Sequence, residues 1–183
     1  MKQVSDFILL SATALGLCIT ALASDGKPSA TDNVLKGFPG YHLLRLDERN
    51  PETRAFLIKH SSKHNPSLVP ADFDGDGDGN AGYSMLLKDE SGKSKLVVLL
   101  CSADSKCKTV YELDETALAD SVYLKPMHIG SLVSETEAIS SHDQNRPVRL
   151  ASTAIQVAYF EKGKVVLYWN PKLRRIKEVQ TED

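Results

Sequence analysis

The chain has 183 residues, with 22 basic and 24 acidic side chains and a formal net charge of -2. That balance leaves no electrostatic footprint for nucleic acid or acidic lipid. The length suits one domain with a full hydrophobic core, so neither a metal nor a disulfide is obligatory for folding.

The first 23 residues carry Lys2, an apolar run from Phe7 to Leu22, and the small-x-small triplet Ala21-Leu22-Ala23. This is the pattern of a secretory signal peptide cleaved after Ala23. No basic stop-transfer cluster follows the run, and no later stretch approaches the length of a bilayer span. Cys18 follows Leu15-Gly16-Leu17, and the bulky Leu17 suits a lipid-attachment site poorly, so Cys18 reads as one more apolar residue of that segment. The expected location is periplasmic or secreted.

Residues 24–36 are rich in Ser, Asp, Lys and Pro and read as a flexible leader, with a single domain over residues 37–183. Tyr41 to Leu46 alternates loosely as an opening strand. Asn50-Pro51-Glu52 starts a short helix, with Asn as cap and Pro at the first helical position. Ala55, Phe56, Leu57 and Ile58 supply its apolar stripe. Asn65-Pro66 and Val69-Pro70 then lead in extended conformation to an acidic loop.

That loop reads Asp72-Phe73-Asp74-Gly75-Asp76-Gly77-Asp78-Gly79-Asn80. Four alternating carboxylates repel one another unless a cation sits among them, and the glycines let the backbone curl so that oxygens converge. Numbered as a twelve-residue calcium loop, Asp72, Asp74 and Asp76 take positions one, three and five, Asp78 takes seven and Asn80 nine. Position seven normally coordinates through its carbonyl, so Asp78 would offer C=O. Position twelve is Tyr83 rather than a bidentate Glu, and the sequence that follows is strand-like, which excludes a helix-loop-helix sensor. A register beginning at Asp74 is also open. The metal set is therefore Asp72, Asp74, Asp76, Asp78 and Asn80, and the expected ion is calcium, bound weakly because the twelfth ligand is missing.

Downstream, Gly82 to Lys88, Leu96 to Cys101 and Lys108 to Leu113 form a three-stranded meander. Cys101 and Cys107 flank its second turn, and in an oxidising compartment they are expected to form a disulfide rather than a zinc or redox pair. Asp114 to Asp120 can form one helical turn. Ser121 to Leu132, interrupted by Lys125-Pro126 and Gly130, reads as an edge strand, and Ser134 to Pro147 as a mobile surface loop. Ile155, Val157 and Tyr159 alternate, Glu161-Lys162-Gly163-Lys164 turns the chain, Val165 to Trp169 returns, and Arg174 to Val179 closes a last hairpin. The aromatic group Tyr159, Phe160, Tyr168 and Trp169 reads as sheet core plus one exposed ring. The predicted fold is α+β: a mostly antiparallel, twisted sheet with one or two short helices.

Other chemistry is sparse. His60 and His64 have a zinc spacing, but Pro66 limits their helix and no third ligand is evident, so they read as surface histidines. His142-Asp143 lies beside Ser140 and Ser141, yet a triad is a matter of geometry, not adjacency. No Gly-x-Ser-x-Gly elbow or phosphate-cradling loop occurs.

The segment from Val69 to Gly77, running into Tyr83-Ser84-Met85-Leu86-Leu87, resembles the calcium loops of FG-GAP and VCBS-type extracellular repeats. In those the acidic turn leads directly into a strand. The resemblance implies the ion and not the task. The motif occurs once, which argues against a propeller. The domain also resembles small exported bacterial proteins with a single such loop and a tail matched here by Tyr159 to Lys162 and Tyr168 to Asn170. The expectation is an exported calcium-binding domain, a non-enzymatic protein-binding or inhibitory module whose partner is another protein. The alternative is a small metal-assisted hydrolase using His128 or His142 as base. A cell-surface structural module is disfavoured by the lack of repeats and of a sorting tail.

Overall fold

The computed structural model describes residues 29–60, 64–78, 81–104, 106–114, 116, 119–134 and 147–182. In chain order the elements are helix α1 (Ala30–Leu35), β1 (Tyr41–Leu43), α2 (Pro51–His60), β2 (Leu68–Ala71), β3 (Gly82–Asp89), β4 (Ser94–Cys101) and β5 (Cys107–Asp114), then β6 (Val122–Met127), β7 (Leu132–Val133), β8 (Val148–Arg149), β9 (Ala154–Tyr159), β10 (Gly163–Asn170) and β11 (Arg175–Glu182). Among the described residues the fold is mostly antiparallel β-sheet with two short helices, in open sheets rather than a closed barrel or a propeller.

The strands divide between two sheets rather than joining one. The first has the order β1-β3-β4-β5, with β2 also paired to β3; the second runs β11-β10-β9-β6; β7 and β8 form a separate ribbon. The meander expected from residue 82 onward is β3-β4-β5, and the two hairpins of the tail are β9-β10-β11. β6 lies at an edge, which is where Pro126 can stand without a ladder N–H.

The two sheets face each other. Leu86, Leu96 and Val98 from the first meet Val122, Leu124, Ile155, Val157, Leu167 and Ile176 from the second, and Leu44, Val69 and Phe73 join them. Each sheet's outer face is also covered. Val34, Leu35 and Phe38 pack on Met85, Leu87, Val97 and Leu99; Leu57 and Phe56 of α2 pack on Tyr123 and Ala158; Val133 and Leu150 pack on Val166 and Val179. This explains why β3 and β4 read as nearly continuous apolar runs: a strand covered on both faces has no polar side to show.

Several expectations need correction. The leader through Lys36 contains α1, whose Ser29 Oγ accepts from the Asp32 amide at 3.1 Å while Asp32 Oδ2 accepts from the Ser29 amide at 2.9 Å. That reciprocal cap, together with packing of the half-buried Val34 and Leu35 against the first sheet, brings the fold's start ahead of Gly37. β1 stops at Leu43, and Leu46–Glu48 turns instead. In α2 the buried positions are Thr53 and Leu57, one helical turn apart, while Ile58 is exposed. Among the described residues the helical turn before β6 covers Ala119–Ser121, and residues 115, 117 and 118 of the expected turn lie outside them. Most of the expected surface loop, residues 135–146, lies outside the described residues.

Arg49 seals one side of the sandwich. Its guanidinium donates to the Val122 carbonyl and, at 2.7 Å, to Ser67 Oγ, which itself donates to the Leu44 carbonyl. Burial pushes Arg49 down to about 10, against the pull of Asp120 and Glu48, so it stays charged at neutral pH. On the other side Tyr111 Oη donates to Glu178 Oε2 at 3.0 Å, joining β5 to β11.

Candidate metal centre

The acidic loop is the connection of the β2–β3 hairpin, whose last pair is Ala71 with Gly82. Phe73 is the apolar residue in the acidic run, and it is 1% exposed, buried in the core between the sheets. Its burial turns the flanking Asp72 and Asp74 outward to the rim. Gly75 and Gly77, at φ of 68° and 72°, then curl the chain back.

The result is convergence. Asp72, Asp74 and Asp76 each offer a carboxylate oxygen, and these atoms all lie within 4.8 Å of one another. Local amides fix the donors: Gly75 N–H donates to Asp72 Oδ1 at 2.7 Å, Gly77 N–H to Asp72 Oδ2 at 3.4 Å, and Asp78 N–H to Asp76 Oδ1 at 3.0 Å. A carboxylate has about four lone-pair sites, so each of these oxygens keeps capacity for an ion. Partial burial first, then the neighbouring Asp76 and Asp72 carboxylates, hold Asp74 above its ordinary value. The group has the donors and the spacing to hold a metal ion.

Among the described residues the converging trio is Asp72, Asp74 and Asp76. Asp78 places its carboxylate outside the trio, and Asn80 lies outside the described residues. The disulfide Cys101–Cys107 is present, with an S–S distance of 2.02 Å, between residues directly paired across β4 and β5. His60 stacks on Phe56 with ring centroids 4.8 Å apart, and His64 is exposed; His128 sits in the turn before β7, where its carbonyl accepts from Ser131 N–H. Ser140, Ser141, His142 and Asp143 lie outside the described residues. Tyr159 and Trp169 pack on the shared core, Tyr168 on the second sheet's outer face, and Phe160 beside Phe56 at 5.3 Å.

The loop also has an external support that the sequence does not disclose. Ser152, in the connection from β8 to β9, donates from Oγ to the Phe73 carbonyl at 2.6 Å. No motif marks Ser152, because a lone serine after a strand is ordinary. Gly82 is a second packing position of the loop, and a glycine opening an otherwise apolar strand is a signal of such close approach. Among the described residues, no helix is long and apolar enough to cross a membrane. Comparison with protein-family models, with curated proteins and with solved structures finds no match.

Proposed function

We propose that this is an exported calcium-binding domain, a non-enzymatic protein-binding or inhibitory module stabilised by one calcium ion and one disulfide. The observation that carries the reading is the convergence of Asp72, Asp74 and Asp76 on a loop whose second residue is locked in the core. An all-oxygen donor set from carboxylates suits a hard cation, and a flexible turn with glycines suits calcium better than magnesium, which demands a near-ideal octahedron. The loop's run into β3 supports the likeness to FG-GAP and VCBS-type calcium loops. Export is supported by the apolar run Phe7 to Leu22 before Ala21-Leu22-Ala23 and by a disulfide, which persists in oxidising compartments.

The ion's role in this reading is mechanical: it neutralises the loop and rigidifies that rim of the sandwich, where a protein partner would meet it. With an affinity in the extracellular range of about 10⁻⁴–10⁻³ M, calcium at about ten times its dissociation constant stabilises by about 1.4 kcal/mol. For a domain of this size that is a rise of roughly 3–6 °C in melting temperature. Thermal melting in calcium and in chelator measures it, and Asp74→Ala should abolish the rise. No calcium-dependent rise in the wild-type protein sinks the metal site. Calcium-dependent capture of one envelope protein by the wild type, lost in Asp74→Ala, supports the binding role, whereas calcium-dependent hydrolysis of an ester or peptide probe would favour the enzymatic alternative.

A further inference from the structure

The acidic loop is braced from the far half of the chain. The Phe73 carbonyl, lying between Asp72 and Asp74, accepts the Ser152 hydroxyl at 2.6 Å, and Ser152 is 5% exposed. Two residues further on, Gly75 packs so closely on the same serine that a Cβ there would lie 2.8 Å from Ser152 Cβ. Ser152 therefore touches the loop at two points on either side of Asp74. On its other side the chain enters the β7–β8 ribbon almost at once. Leu150 N–H donates to the Ser131 carbonyl at 2.9 Å, the Leu150 carbonyl accepts Gly130 N–H at 2.9 Å, and the Leu150 side chain is buried with Val133 against Val166 and Val179. Residues 150–152 thus have one end in the ribbon and the other on the loop.

We infer that Ser152 is a positioning residue of the metal loop, and that ion binding and docking of the β7–β8 ribbon stabilise each other through it. The inference rests on the calcium reading above. Its physics is direct: three converging carboxylates repel, and the backbone that carries them holds its place only if something outside the loop fixes it. Ser152 fixes the peptide between the first two ligands. An ion that draws Asp72 and Asp74 together tightens the peptide that Ser152 grips, and by reciprocity whatever holds the ribbon raises ion affinity by the same factor.

The test is amide hydrogen exchange of the oxidised wild-type protein with and without calcium, read at Gly130 and Leu150, alongside calcium titration of wild type and Ser152→Ala. Saturating calcium should slow exchange at both amides in the wild type. Loss of one buried hydrogen bond should weaken calcium binding in Ser152→Ala by roughly five- to tenfold, and the calcium-dependent slowing should disappear. A serine with a merely structural role would lower the melting temperature equally in calcium and in chelator and leave calcium affinity unchanged, which overturns the inference. The wild-type exchange alone decides it if the variant does not fold: calcium that binds without altering Gly130 or Leu150 overturns the coupling and leaves the metal reading standing. Absence of calcium binding by the wild type removes both.

Discussion

Gly82→Ala isolates how tightly the loop is set into the sheet. Gly82 opens β3 opposite Ala71, is buried, and does not adopt a positive φ, so alanine meets no backbone strain there. By itself the exchange should help, since fewer unfolded conformers favour alanine by about 0.4–1 kcal/mol. Space decides otherwise. An added Cβ would collide with the Leu99 carbonyl oxygen and lie 2.9 Å from Phe73 Cδ2 and 3.3 Å from the Ala71 carbonyl oxygen. The first belongs to central strand β4 and the second to a ring closed in by both sheets, so neither yields as a flexible side chain would. Overpacking of this kind costs about 1–3 kcal/mol, and with immovable neighbours the upper figure applies. The net loss is therefore about 2 kcal/mol, or a melting temperature lower by roughly 4–8 °C for a domain of this size. Circular-dichroism melting in chelator measures it without the ion. Gly77→Ala serves as the comparison: its Cβ meets nothing within 4 Å, so only the positive φ of 72° is penalised, by about 1–2 kcal/mol. A Gly82→Ala protein that melts at or above wild type would refute the packing argument.

Removal of the disulfide by Cys101→Ser with Cys107→Ser should lower stability in urea by about 2 kcal/mol, the loop-closure entropy for a sequence separation of six residues; an unchanged urea midpoint would show that the hairpin turn alone restrains the unfolded chain. Glu48 supplies a pH dependence. Burial by itself would raise its carboxyl, but the Arg45 amide at 2.8 Å and the His42 ring at 3.0 Å hold it below its ordinary value. Its stabilisation is present above the unfolded-state glutamate value and is lost as pH falls through the lower folded-state one. Urea midpoints across that acid window should therefore fall less steeply for Glu48→Gln than for wild type, and parallel curves would rule the contribution out.

What the sequence discloses follows the range of the forces involved. β9 and β10 are legible because Ile155, Val157 and Tyr159 alternate with Gln156 and Ala158, and a tight turn pins their register. The Cys101–Cys107 bridge is legible because its partners are six residues apart on one hairpin. The division into two sheets is not, since it depends on which strands leave an edge unpaired, and each strand's apolar count is the same either way. α1 hides behind a polar composition, although Ser29 and Asp32 carry a capping signature that marks its start. At the metal loop, the alternation of Asp72, Asp74 and Asp76 announces the ligands. Phe73 as anchor is half visible, a lone aromatic among acids. Arg49 and Ser152 are invisible, because each acts through one or two hydrogen bonds to partners distant in the chain that no local pattern encodes.

The sheets follow the chain: the first uses strands from residues 41–114 and the second from residues 122–182. A polypeptide that emerges from its N-terminus first can zip β3, β4 and β5 together while their inward side chains Leu86, Leu96 and Val98 still have nothing to lie against. That half is an adhesive surface until its other half is made, and most of the aspartate loop is already present on it. Only once residue 152 has been made can its hydroxyl reach the Phe73 carbonyl. The acidic loop of the first-made half is thus completed by a hydroxyl that the chain supplies 79 residues later.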